Sequence, residues 1–245
     1  MKSLVIIPTY NEIENVEAMI TKVMSLPVSF DLLFVDDNSP DGTAKKIQEL
    51  QKKHPKTLHL LSREKKSGLG TAYIAGFKWS LEKQYDFIFE MDCDFSHPPD
   101  DLSKLFHELK TNQCDMVIGS RYIKGFTVKN WPLRRIILSF GASIYVRIIT
   151  LIPIKDPTAG FVGYTRKALQ TLDLNAIPFQ GYGFQIAMKF WLWKAGLRLK
   201  EVSIVFTERH LGKSKMSGSI VQEALFGIFK LLFLSISNPN KVIQK

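Results

Sequence analysis

Apolar and polar positions over the first 120 residues switch repeatedly between two periods. Leu4-Val5-Ile6-Ile7 is an unbroken apolar run stopped by Pro8, the pattern of a parallel strand buried on both faces. From about Ile13 to Met24, Val16, Ile20 and Val23 recur at helical spacing. Leu32-Leu33-Phe34-Val35 predicts a second strand, closed by Asp36-Asp37-Asn38-Ser39-Pro40-Asp41-Gly42, and Thr43–Lys53 a second helix. Leu58–Leu61 and Gly70–Lys83 make a third pair. Phe87–Met91 is a fourth strand running into Asp92-Cys93-Asp94, followed by a helix over Asp101–Thr111 and a strand over Met116–Gly119. Such alternation predicts an α/β fold with a doubly wound, mostly parallel sheet, whose ligands gather at the carboxyl ends of the strands. Each polar cluster falls at such an end.

Beyond residue 121 the rhythm changes. Trp131–Ile154 is a long apolar stretch holding Arg134, Arg135 and Arg147; Glu201–Phe206 predicts a strand. Ser219–Ser237 is a second apolar helix, interrupted by Glu223 and Lys230. Neither reaches the roughly 20 uncharged apolar residues of a membrane span. Both suit helices lying in a headgroup layer, or covering the sheet or a dimer interface.

Charge sharpens this picture. The 245 residues carry a net charge of +10, but residues 1–120 hold 14 Lys and Arg against 18 Asp and Glu, and residues 121–245 hold 19 against 5. The back half is built to meet anions. Its basic residues alternate with aliphatic runs and lack the interleaved aromatics of nucleic-acid binders, so a lipid surface is expected and nucleic acid is not. At 45% apolar and 23% charged residues, an ordered chain is expected. Cys93 and Cys114 have no metal spacing and read as thiols in a reducing compartment. The N-terminus enters a strand at once, leaving no room for a signal peptide, so a cytosolic protein is expected.

Three clusters carry candidate chemistry. Asp92-Cys93-Asp94, two carboxylates one residue apart at a strand end, suits a hard divalent cation and the diphosphate it bridges; the same pattern also occurs in plain turns. Val35-Asp36-Asp37 offers acceptors for base or ribose groups, or serves the turn that follows. Lys65-Lys66-Ser67-Gly68-Leu69-Gly70 before a helix is either a phosphate approach or a helix-entry loop.

Taken together these blocks resemble the family-2 glycosyltransferases, and specifically the dolichol- or polyprenol-phosphate mannose synthases. The resemblance runs through Ile7-Pro8-Thr9-Tyr10-Asn11-Glu12, Val35–Thr43, Gly68–Tyr73, Met91–Pro98, Gly119–Tyr122, Ser139–Ala142, Gly181–Gln185, Phe206–Arg209, Gly212 and Ser214-Lys215. It implies a GT-A domain over residues 1–210, with an interfacial helix at about 131–154, and an acceptor loop with a C-terminal membrane-associating helix over 211–245. It implies that Pro8, Tyr10, Glu12, Val35 and Asp37 hold the nucleotide, with Cys93 touching the donor through its backbone. Asp92 and Asp94 would hold Mg²⁺ or Mn²⁺, with Ser96 where some relatives place a glutamine ligand. Arg121, Arg135, Ser139, Arg209 and Lys215 would meet donor or lipid phosphates.

The implied activity is inverting transfer of mannose from GDP-mannose to a polyprenyl or dolichyl phosphate, by a peripheral protein at the cytoplasmic membrane face, alone or with a small membrane partner. A UDP-glucose transferase and a catalytically impaired membrane-bound relative are the alternatives. One departure stands out. Where the family commonly has an acidic residue, two positions after Gln185, this chain has Ala187. A phosphate acceptor is already an anion at neutral pH and needs no general base, so Ala187 favours a lipid phosphate.

Overall fold

The first apolar run forms β1 (Ser3–Thr9), with Leu4 and Ile6 fully buried in one core layer and Val5 and Ile7 in the other. This computed structural model describes residues 1–181, 183–208 and 218–244, with side chains omitted over 218–226. The chain continues through α1 (Val16–Met24), β2 (Asp31–Asp36), α2 (Thr43–Gln51), β3 (Leu58–Ser62) and α3 (Leu69–Glu82). Next come β4 (Phe87–Glu90), α4 (Leu102–Lys110), β5 (Met116–Ser120), β6 (Val128–Lys129) and α5 (Leu133–Thr150). It closes with β7 (Val162–Thr165), α6 (Arg166–Gln170), α7 (Gly183–Lys194), β8 (Leu199–Ser203), β9 (Phe206–Thr207) and α8 (Gly218–Ser237).

The large sheet has the order β3-β2-β1-β4-β7-β5-β8, while β6 and β9 pair as a separate parallel ribbon. Only β7 runs against its neighbours in the large sheet. From β1 the chain winds outward to β2 and β3, then crosses back to β4 on the other side of β1. That reversal opens a crevice between the carboxyl ends of β1 and β4, where a ligand can enter. Helices α1, α2 and α4 cover one face of the sheet; α3, α7 and part of α5 and α8 cover the other.

Several elements differ from the sequence expectation. Helix α1 starts at Val16 rather than Ile13, because the N–H groups of Asn11, Glu12 and Ile13 are taken by side chains of the loop after β2 and of Thr43, the first residue of α2. The strand expected over Glu201–Phe206 divides: β8 ends at Ser203, and Phe206 leaves the sheet to pair with Val128. Helix α7, buried at every position from Gly183 to Leu192, and the short β7 carried no expectation. The long apolar stretch forms α5, which ends at Thr150 and is capped by Leu151 at φ 58°.

Helices α5 and α8 pack against each other, yet Leu133, Ile137, Leu138, Ile148, Phe233 and Ile236 are each more than half exposed. These exposed apolar side chains share their two helices with Arg147 and Lys230. Among the described residues no helix is long and apolar enough to cross a membrane.

Candidate active site

The edge loops after β1 and β2 are built around Asp36. Its fully buried carboxylate accepts from Thr9 Oγ1 (2.9 Å), Ser39 N (2.9 Å) and Ser39 Oγ (2.6 Å). Asn11, at φ 56°, donates its N–H to Ser39 Oγ (3.0 Å). The Asn38–Gly42 stretch therefore does serve turn chemistry, and it ties two loops together. Asp37 is placed differently. Its Oδ1 lies 3.2 Å from Arg63 Nη1, and neither buried atom has a hydrogen-bond partner among the described residues. Burial raises the Asp37 pKa, with the Arg63 charge opposing in part. Arg63 is fixed by a bond from Nη2 to Thr71 Oγ1 (2.7 Å). Lys66 sits 4.5 Å above the Tyr10 ring, and Glu12 accepts from Asn15 Nδ2 (2.8 Å). Val35 is fully buried beside Pro8 in the strand register, so any ligand contact it makes is through its main chain.

The glycines before α3 are packing residues. The Gly70 amide donates to Gln180 O (2.7 Å), and a Cβ on Gly68 or Gly70 would come within 2.8 Å of Gln180 O or Phe184. Gly68 also has φ +99°, which a side chain would strain. Helix entry, not phosphate approach, accounts for both.

Asp92-Cys93-Asp94 leaves β4 at the crevice. Asp94 is buried and its Oδ1 accepts the Ser96 N–H (3.0 Å); the Asp92 side chain is 41% exposed and lines a cavity. The Asp92 N–H donates to His97 Nδ1 (3.1 Å). Burial holds the His97 pKa down to about 4, with Asp94 opposing, so the imidazole is neutral at pH 7 and carries its proton on Nε2. Cys93 is a buried thiol. The buried Tyr73 hydroxyl has its pKa pushed far up, first by burial and then by the charges of Asp92 and Glu90.

Among the described residues no three His, Cys, Asp or Glu side chains cluster. Asp92 and Asp94, two carboxylates one residue apart at the crevice, would hold a hard cation, whose remaining ligands would have to come from outside these side chains. Ser96 is buried beside them, its carbonyl accepting the Thr207 N–H (3.2 Å).

A cavity of about 440 Å³ is lined by Asp92, His97, Arg121, Trp131, Arg134, Arg135, Ser139 and Gln185. A file of rings runs beside it: His97 meets Phe206 edge-on (5.3 Å), Phe206 meets Trp131 (5.2 Å), and the Arg135 guanidinium lies 4.1 Å from the Trp131 ring centre. Arg121 is held by Asp156, Nε to Oδ2 (2.8 Å) and Nη2 to Oδ1 (2.7 Å), and by Thr158 Oγ1 (2.8 Å). Burial raises the Asp156 pKa, but the Arg121 charge and bonds outweigh it and the net shift is downward. Glu201 in turn accepts the N–H groups of Lys155 (2.7 Å) and Asp156 (2.9 Å). Ser139 Oγ accepts from the Tyr122 hydroxyl (2.8 Å), and Arg135 is paired with Glu208. Arg209 and Lys215 lie outside the described residues. Ala187 is fully buried in the core rather than in the cavity wall.

Behind the cavity, buried Glu90 accepts from Gln185 Nε2 (2.7 Å), and buried Lys189 donates to Ala159 O (2.7 Å) and Gln185 O (3.0 Å). Burial pushes the Glu90 pKa up and the Lys189 pKa down. This network joins the β4 end, α7 and the segment before β7.

Sequence reasoning passed over Arg63, Trp131, Asp156, Lys189 and Glu208. A signal for two of them was present: residues 121–245 hold five acidic residues, and Asp156, Glu201 and Glu208 are three of them.

An open sheet with an acidic pair at its reversal point and a basic, apolar-walled cavity alongside fits a group transferase acting on a phosphorylated donor. The chain belongs to glycosyl transferase family 2, whose family model matches residues 4–173. It is 45% identical over 227 residues to a polyprenol monophosphomannose synthase of Mycolicibacterium smegmatis, covering 93% of this chain and 85% of that protein. It is 45% identical over 228 residues to an undecaprenyl-phosphate mannosyltransferase of Micrococcus luteus, covering 93% of each. A dolichol-phosphate mannosyltransferase of Pyrococcus furiosus is 38% identical over 236 residues, or 95% of this chain and 64% of that protein. Among solved structures, glucosyl-3-phosphoglycerate synthase from Mycobacterium tuberculosis with Mn²⁺, UDP and glucosyl-3-phosphoglycerate superposes with a TM-score of 0.66 at 18% identity, covering 96% of this chain and 79% of that one. The fold is GT-A.

Proposed function

We infer that this chain transfers mannose from GDP-mannose to the phosphate of a polyprenol or dolichol at the cytoplasmic face of a membrane. The cavity carries this reading: Asp92, Arg134 and Arg135 line one and the same cavity, and Leu138 belongs both to its wall and to the exposed apolar residues of α5. A sugar diphosphate and a lipid phosphate can thus meet between a water-facing crevice and a lipid-facing helix. The names of the relatives that are 45% identical favour mannose over glucose.

Asp92 and Asp94 hold Mg²⁺ or Mn²⁺ in this reading, with Ser96 beside them. When bound, such a cation neutralises charge gathering on the leaving diphosphate. Tyr10, Glu12 and the Asp37–Arg63 pair receive the nucleotide, with the main chain at Pro8, Val35 and Cys93. Arg121, braced by Asp156, fixes a positive charge in the cavity wall. Arg135 and Ser139 orient the acceptor phosphate in this reading, and Arg209 and Lys215 supply further positive charge for the donor or lipid phosphate. The acceptor phosphate has a second pKa of about 6 and is mostly a dianion at neutral pH. An oxygen of it attacks the anomeric carbon in line with the leaving diphosphate, so no side chain need remove a proton, in keeping with Ala187 in the core. One displacement inverts the anomeric configuration.

Titration of GDP-mannose and UDP-glucose in Mn²⁺ tests the donor half. Tighter, Mn²⁺-dependent binding of GDP-mannose is expected; equal or tighter UDP-glucose binding would overturn it.

A further inference from the structure

Arg135 stands in the cavity wall near the exposed apolar side chains of α5. Any lipid bilayer containing acidic lipids would present it with phosphodiester headgroups, far outnumbering a carrier-lipid phosphate. Arginine binds phosphate oxygens of either kind well, as two parallel hydrogen bonds. Left uncovered, it would be filled by the wrong anion.

It is not left uncovered. Arg135 Nη1 is bonded to Glu208 Oε1, and the guanidinium rests on Trp131. Trp131 Nε1 is itself a buried donor without a partner among the described residues. Glu208 is aimed by its backbone: its N–H donates to Lys129 O (3.1 Å), extending the β6–β9 ribbon that pairs Lys129 with Thr207. Both side chains of the pair keep about a third of their surface in contact with solvent, at 30% and 31%, so the bond can open.

We propose that Glu208 makes the Arg135 site selective for phosphate monoesters, by covering the arginine with a carboxylate that a dianion displaces and a singly charged phosphodiester does not. A diester offers the same single charge as the carboxylate and gains nothing by exchange. A monoester dianion brings a second charge, and its oxygens can also accept from Trp131 Nε1. Glu208 is thus a specificity-determining residue, which rests on the lipid-phosphate reading above.

The test uses the full chain in neutral detergent micelles, with labelled farnesyl phosphate as monoester and phosphatidylglycerol as competing diester. Bound label is read by displacement, independently of turnover, and mannosyl transfer is followed alongside. In wild type, phosphatidylglycerol should displace little label. In Glu208→Gln, displacement by phosphatidylglycerol should strengthen about fivefold, the worth of one partly exposed ion pair, without weaker farnesyl phosphate binding. The added Arg135→Ala change should abolish that gain. Unchanged discrimination in Glu208→Gln, or weaker farnesyl phosphate binding there, overturns this inference alone. A wild-type chain that does not bind farnesyl phosphate overturns the lipid-phosphate reading and this inference with it.

Discussion

Asp94 lies buried at the end of β4 with one oxygen on the Ser96 amide, so an amide in its place preserves the shape and removes the charge. Asp94→Asn should lower initial transfer rates about a thousandfold while leaving the melting curve nearly unchanged; a wild-type-like rate would refute the cation role. Asp156 is the opposite case, structural first. Asp156→Asn leaves the Arg121 charge buried without its counter-ion and should cost about 3 to 5 kcal/mol in urea unfolding. Because the folded-state pKa of Asp156 is depressed, its stabilisation is present above the unfolded value near ~4 and is lost as pH falls through the folded value. The melting temperature of wild type should therefore drop more steeply below about pH 4 than that of Asp156→Asn; parallel curves would contradict this. Asp92 and Asp94 were legible because a strand end is marked in the sequence by apolar residues giving way to polar ones. Asp156 belongs to no such boundary, and Glu208, although it follows a short strand, has no acidic neighbour to mark it. Their meaning lies in arginines 35 and 73 positions away, a pairing that only the fold reveals.

Helices α5 and α8 carry the membrane argument. Their exposed Ile148 and Phe233 are outside the cavity lining, so charging them should affect lipid contact without touching the site. Ile148→Glu with Phe233→Glu should cut co-sedimentation with vesicles severalfold. Transfer to a short, soluble polyprenyl phosphate and the melting temperature should both hold; undiminished vesicle binding would remove the lipid-facing role. The first five strands were readable because each is a short apolar run bounded by turn residues. Helix α7 was not. It is buried on every side from Gly183 to Leu192, which erases the polar face that a helical period needs. Strand β7 is four residues long and pairs antiparallel between strands far away in sequence, information that no local pattern holds.

At the scale of the molecule, the acidic front half bears the crevice with Asp37, Asp92 and Asp94, and the basic back half bears the cavity arginines and the exposed apolar side chains of α5 and α8. This division suits a protein whose donor arrives with a cation and whose acceptor sits among anionic headgroups. Binding to vesicles rich in phosphatidylglycerol should weaken as salt rises from about 0.05 to about 0.5 M, and binding to neutral vesicles should change little. Salt-insensitive binding to both would leave the charge division without a membrane role. The most direct test supplies GDP-[¹⁴C]mannose, Mn²⁺ and a polyprenyl phosphate to the purified chain and follows the label into the organic phase. Label should appear there with wild type, be lost with Asp94→Asn, and be absent when UDP-[¹⁴C]glucose replaces the donor. Label that stays in the aqueous phase with wild type, or glucose that enters as readily as mannose, would contradict the assignment.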